Sequence, residues 1–138
     1  MAFTPNYISR ELTDSSTYTQ KKTYSQEPYI VLPKKVSIKK GYGLKNFSLF
    51  IKTKGEQFGD PIAYNIDTNS QKIYLNCYDF SGNLHLRETM TSLDTYLGEW
   101  GYEFTALDFN AKGNFRCEIT LEEENNIFFI DKFRINVY

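Results

Sequence analysis

Catalysis needs nucleophiles, bases or ligands held at fixed spacing, and this sequence of 138 residues offers few of them. His85 is its one histidine, set inside an alternating stretch with no serine or cysteine in a recognisable catalytic context. Glu122-Glu123-Glu124 cluster at a polar turn, which reads as a solvated hairpin loop rather than a catalytic cleft. An acid/base pair would need two carboxyls fixed across a cleft, and no such spacing is legible. There is no Gly-rich phosphate loop, no metal-spaced set of His or Cys, and no nucleophile elbow. The chain is therefore read as not an enzyme. Cys77 and Cys117 fall on the apolar phase of their stretches and read as small buried hydrophobes in reduced form. A disulfide between them requires that their strands lie opposite one another.

Aromatic side chains are the better candidates. They make up 17% of the chain, with 11 Tyr, 11 Phe and one Trp. Tyr64, Tyr74, Tyr78 and Tyr96 lie on loops or on the phase opposite the core, and Trp100 opens a strand. A flat ring with a polar tip can stack on a sugar or fill a protein interface, so these five form the candidate ligand-binding set.

The elements that must position them are strands. Phe115, Cys117, Ile119 and Leu121 alternate with Arg116, Glu118, Thr120 and Glu122, the period of two of a strand with one dry face. Glu123-Glu124-Asn125-Asn126 turn the chain back. On the return, Phe128 and Ile130 share one phase, while Phe133, Ile135 and Val137 share another. That slip at Asp131-Lys132 predicts a β-bulge, which inserts one residue and keeps both halves facing the core. Earlier runs read the same way: Tyr29 to Leu32, Val36 to Ile38, Phe47 to Ile51, Gln71 to Phe80, Leu84 to Met90 and Trp100 to Phe104. Phe50 lies on the polar phase of its run, as in a central strand covered on both faces. Lys34-Lys35 and Lys39-Lys40 guard an edge strand against pairing with other chains. Ser81-Gly82-Asn83 is a hairpin loop, residues 56 to 70 read as a long loop with room for a short strand at Ile62 to Ile66, and Thr91 to Gly98 read as a connection with one short helical turn capped by Ser92 or Asp94. About eight short strands with regular turn signals describe an all-β, antiparallel, two-sheet sandwich.

Residues 1–28 differ from this. They are rich in Ser, Thr, Gln, Asn and Tyr, and no periodic apolar pattern would offset the entropy of ordering them alone. We read them as an extended polar N-terminal arm, with Tyr7, Tyr18 and Tyr24 as its interface rings, ahead of a sandwich domain at 29–138. Such an arm is ordered by lying along something, which points to other protein subunits as partners. Formal net charge is -1, with 16 basic and 17 acidic residues, and the basic surplus that nucleic acid demands is missing. No run approaches the roughly 20 apolar residues of a membrane span. The N-terminus has no signal-peptide pattern, so synthesis in the cytoplasm is expected.

Several stretches resemble the galactose-binding-like β-jelly-roll superfamily, which includes many carbohydrate-binding modules. Val36-Ser37-Ile38-Lys39-Lys40-Gly41 followed by Phe47-Ser48-Leu49-Phe50-Ile51-Lys52 is similar to its entering strands. Trp100-Gly101-Tyr102-Glu103-Phe104 resembles a late strand, and Phe128-Phe129-Ile130-Asp131-Lys132-Phe133-Arg134-Ile135 its closing one. The likeness covers 29–138 and implies a jelly roll. It further implies a structural calcium held by Asp131 with Glu27 as a second ligand, although Lys132 stands where the family has a second Asp; no other cofactor is expected. The resulting functional expectation is a non-enzymatic subunit of a multi-subunit particle, such as a tailed-bacteriophage virion protein serving as capsid decoration, head fibre or tail component. The alternative is a carbohydrate-binding module that takes glycan on its exposed aromatics.

Overall fold

The protein is described here by a computed structural model covering residues 27–32, 35–54 and 59–138. These residues form ten strands and two sheets: β1 (Tyr29–Val31), β2 (Val36–Ile38), β3 (Leu44–Thr53), β4 (Ile62–Ala63), β5 (Lys72–Tyr78), β6 (Leu84–Thr89), β7 (Thr91–Asp94), β8 (Glu99–Phe104), β9 (Gly113–Glu123) and β10 (Asn126–Val137). One sheet runs β2-β10-β9-β5-β6, the other β1-β3-β8-β7, with β4 paired to β3. The inward phases of the two sheets meet in a core that includes Leu49, Ile51, Ile73, Leu75, Ile119 and Ile135, each 0% exposed. The all-β, two-sheet expectation is therefore met in outline.

Its details differ. Pairing is antiparallel except at one edge, where β2 runs parallel to β10 with Val36 opposite Ile135 and Ile38 opposite Val137. These pairings do not draw the jelly-roll order that the resemblance implied: β5–β6, β7–β8 and β9–β10 are each hairpins inside one sheet. In place of the helical turn after Thr91 there is a strand, β7, and a turn in which Asp94 Oδ1 accepts the N–H groups of Tyr96 and Leu97 at 3.0 and 3.1 Å. The Asp94 side chain does the work of a cap, but for a turn between strands. Leu84, on the same phase as the buried Leu86, is 54% exposed, because the β5–β6 register shifts between Cys77 and Tyr78 and leaves Leu84 beyond it. Phe50 sits on β3 between β1 and β8, half-buried as a central strand requires. Lys35, Lys39 and Lys40 are exposed beside the edge strand β2.

The closing hairpin carries the bulge, one residue earlier than the slip predicted. Ile119 pairs with Asp131 and Thr120 with Phe129, so Ile130 is the extra residue. The insertion keeps Ile130, Phe133, Ile135 and Val137 buried. The tip of β10 does not follow: Ile127, Phe128 and Phe129 are 65%, 51% and 58% exposed, which corrects the inward placement of Phe128. The reason is the flank. Beyond Asp131, β10 has β9 on one side and no described strand on the other.

The turn between β9 and β10 places Glu124 at φ 55°, the left-handed region that disfavours any side chain with a Cβ. Replacing Glu124 with Gly should raise stability by about 1 kcal/mol, read as a higher urea midpoint with an unchanged slope. A lower midpoint would mean that the side chain itself holds the turn.

Candidate functional site

The outer face of the five-stranded sheet gathers two of the candidate rings. Tyr74 and Tyr78 stand on β5 with Asn76 between them, all on the phase opposite Ile73, Leu75 and Cys77. Register then brings β9 and β6 alongside, with Thr120 opposite Tyr74, Arg116 opposite Tyr78 and Arg87 opposite Asn76. Arg87 organises this face. Its guanidinium lies 4.0 Å from the centre of the Tyr74 ring, Nη1 donates to Asn76 Oδ1 at 2.8 Å, and Nη2 meets Glu122 Oε2 at 2.6 Å. Asn76, only 3% exposed, donates from Nδ2 to Thr120 Oγ1 at 3.0 Å and to the Glu118 carbonyl at 3.3 Å. A buried amide left unpaired would cost about 1–3 kcal/mol, and here both ends are satisfied. Arg116 repeats the motif more loosely, 4.7 Å from the Tyr78 ring centre and 3.6 Å from Glu118. The result is a flat polar strip in which each tyrosine has one ring face taken by a guanidinium, an arrangement that orients the ring and holds it still.

The other candidates lie elsewhere. Tyr64 is half-buried against the core and, with Trp100, Gly98 and Ser92, lines a cleft of about 120 Å³ beside the β1-β3-β8-β7 sheet. Trp100 itself is 6% exposed. Its reading as an open stacking ring is corrected: the strand phase that opens at Trp100 is the core phase shared with Phe104. Tyr96 is 88% exposed on the turn after β7. The five rings therefore do not form one surface. Tyr7, Tyr18 and Tyr24 lie outside the described residues.

Asp131 has a different task from the one the resemblance implied. Its Oδ2 accepts the Ile30 N–H at 3.0 Å and its Oδ1 accepts the Lys132 N–H at 2.8 Å. The first of these bonds ties β1, the edge of one sheet, to β10 in the other, just past the bulge. Glu27 is exposed, and no group of three or more His, Cys, Asp or Glu among the described residues could hold a metal ion. With both carboxylate oxygens turned to backbone donors and Lys132 adjacent, Asp131 does not fit a calcium, which asks for six to eight oxygens.

The remaining chemistry-bearing groups make contacts within the domain. Cys77 and Cys117 are direct cross-strand partners in β5 and β9, each 0% exposed, with sulfurs in hydrogen-bond contact at 2.8 Å. They are free thiols. Burial, then the neighbouring thiol, pushes the Cys117 thiol far above its usual range; it is a poor nucleophile there. His85 is exposed but stacks on Phe109 and packs tilted against Phe115 at centroid distances of 5.3 and 4.9 Å, and its Nε2 donates to the Asp108 carbonyl. Asp108 Oδ2 in turn accepts from Tyr102 Oη at 3.2 Å and Thr105 N at 2.8 Å. Burial, followed by the Asp108 charge, raises the Tyr102 phenol above its ordinary value. Sequence reasoning missed the Arg87–Asn76–Thr120 network and the Asp131 clamp. Both depend on which strands are neighbours, and alternation within one strand carries no such signal.

No protein-family model matches the chain, and no curated protein matches it. Among solved structures, the crystal structure of CopC from Methylosinus trichosporium OB3b is similar over 80% of this chain and 93% of that one, at 13% identity and a TM-score of 0.44. A likeness of that size carries no argument about what this chain does.

The clamp makes a direct prediction. Asp131→Ala strands the Ile30 N–H and unties β1, and should lower stability by about 1–3 kcal/mol in chemical denaturation. Added calcium should leave the wild-type thermal midpoint where it was; a rise would restore the metal reading.

Proposed function

We propose that this chain is a non-enzymatic structural subunit of a multi-subunit particle, of the tailed-bacteriophage virion kind that the sequence suggests, attached through its N-terminal arm. The observation that supports this reading is the tip of β10. A strand edge bearing Ile127, Phe128 and Phe129 in the open, with no described strand beside it, is what isolated domains avoid and assembling ones keep. We propose also that the sandwich has immunoglobulin-like rather than jelly-roll order. Lettered by position, β1-β3-β8-β7 is A-B-E-D and β10-β9-β5-β6 is G-F-C-C′, with β2 as the half of the first strand that has crossed to the other sheet. Folds of this order serve many unrelated tasks, so the order supports architecture and leaves function to the surfaces.

Trypsin tests the attachment, since the arm carries Arg10, Lys21 and Lys22. Those sites should be cut rapidly in the dilute monomer and protected in the assembled state. A monomer whose arm sites are already protected by its own domain would contradict the proposal.

A second reading is glycan binding on the Tyr74–Tyr78 strip, favoured by two half-buried, arginine-oriented rings on one flat face. It predicts saccharide binding in calorimetric titration that Tyr74→Ala and Tyr78→Ala each weaken about fivefold or more, a stacked ring being worth about 1 kcal/mol or more. Binding untouched by both changes, or no binding, removes it. Trp100→Ala is uninformative, because emptying that core site costs about 3–5 kcal/mol of stability.

A further inference from the structure

We propose that Cys77 and Cys117 form a cross-strand disulfide, closed by exchange with a low-molecular-weight disulfide while the chain folds and sealed from oxidant and reductant once the core has packed. The bond links two strands of one sheet, and it requires neither arm nor partner.

The register brings the two residues together. Cys77 on β5 and Cys117 on β9 are direct antiparallel partners, so their Cα atoms stand about 4.5 to 5.5 Å apart whichever type of pair they form. That separation lies within the about 4.4–6.8 Å that a disulfide spans, and no backbone movement is needed. Both side chains leave the same face of the sheet, and the sulfurs already touch at 2.8 Å. Closing the bond to roughly 2.05 Å takes a small rotation of the side chains. The row across the sheet reads Leu86, Cys77, Cys117, Phe133, and the two sulfurs meet at its centre. Neighbouring pairs hold the register on both sides. Arg116 faces Tyr78 and Glu118 faces Asn76, and the Asn76 amide is tied to the Glu118 carbonyl and to Thr120. A slip of one residue would turn one sulfur to the other face.

The step balances against a small disulfide such as oxidised glutathione. One cysteine thiolate attacks it, forms a mixed disulfide and expels a glutathione thiolate. The second cysteine thiolate then attacks the protein-side sulfur, closes the Cys77–Cys117 bond and expels the other glutathione. The two cysteines lose two protons and two electrons, and the small disulfide is reduced to two thiols. The second attack is intramolecular, and the native register holds its sulfurs in place for it. In the packed domain the first attack is blocked. Both cysteines are 0% exposed, and burial with a neighbouring thiol keeps Cys117 protonated, while exchange demands a thiolate within reach. Exchange therefore runs during folding or through unfolding, and the medium in which the chain folds sets the redox state of the pair.

The test refolds the full chain from urea, once with a mixture of reduced and oxidised glutathione and once with excess dithiothreitol. The glutathione sample should lose two hydrogens, about 2 Da, and show no titratable thiol after denaturation. Its tryptic digest should contain the peptides 73–87 and 117–132 joined. The bond closes a loop between residues 40 apart and so removes freedom from the unfolded chain; the thermal midpoint should rise by roughly 10 °C over the dithiothreitol sample. Protein already folded in the reduced state should stay reduced in the same glutathione mixture and oxidise once urea opens it. The double variant Cys77→Ala with Cys117→Ala should melt at one temperature in both buffers. That comparison lies within the variant, so lost packing cancels, and the wild-type mass decides even where the variant fails to fold. A refolded wild type that keeps both thiols, carries glutathione on either cysteine or links chain to chain overturns the bond. An oxidised form that melts below the reduced one overturns the fit of the bond to the native geometry. Native protein that oxidises as fast as the unfolded chain overturns the sealing.

Discussion

Everything distinctive about this domain depends on one inserted residue in its last strand. Strand side chains alternate faces without exception, so β10 can bury Phe133, Ile135 and Val137 and also Ile130 only if the register slips between them. Ile130 is that slip. It divides β10 into a half that belongs to the core and a half that does not. The core half reaches β2 at the edge of its sheet; the tip pairs with β9 alone among the described strands and leaves Ile127, Phe128 and Phe129 in solvent. The bulge also aims Asp131 across to Ile30, so the same local irregularity that frees the tip fastens the two sheets together next to it. A strand that was regular throughout could not do both.

The polar outer face of that sheet shows how burial and charge are reconciled. Asn76 is nearly inaccessible, yet each of its polar atoms has a partner, and the partners come from the strands on either side of it, β9 and β6. Arg87 meets a carboxylate, an amide and a ring at once. Such a network fixes the relative position of β5, β6 and β9 more than it adds net stability. It is a rigid platform, and rigidity is what a recognition surface and an assembly subunit both require.

Periodicity within a strand survives into the sequence, and pairing between strands does not. The closing hairpin, the core phases of β3, β5 and β9, and the existence of the bulge could all be read from alternation. The position of the bulge was displaced by one residue because Ile130 fits either phase. Phe128 and Leu84 look inward by phase and lie outward because register shifts carry them beyond the cover of their neighbours. Trp100 looked like a surface ring since it opens a strand beside glycine and glutamate; only the opposite sheet makes it core. The likeness that suggested a calcium named Asp131 with Glu27, whereas the donors that meet the Asp131 carboxylate are the backbone N–H groups of Ile30, 101 residues away, and of Lys132. The parallel edge at β2 had no sequence signal at all.

The central claim is that the bulge separates a core half of β10 from an interaction half, and amide hydrogen exchange across concentration measures both together. The amides of Phe133 to Val137 should be protected at every concentration, as core strands are, while those within Ile127 to Phe129 that turn away from β9 should be open in the dilute chain and become protected as copies associate. Uniform protection along the whole of β10 in the dilute monomer, or a tip that stays open in the associated state, would contradict the account.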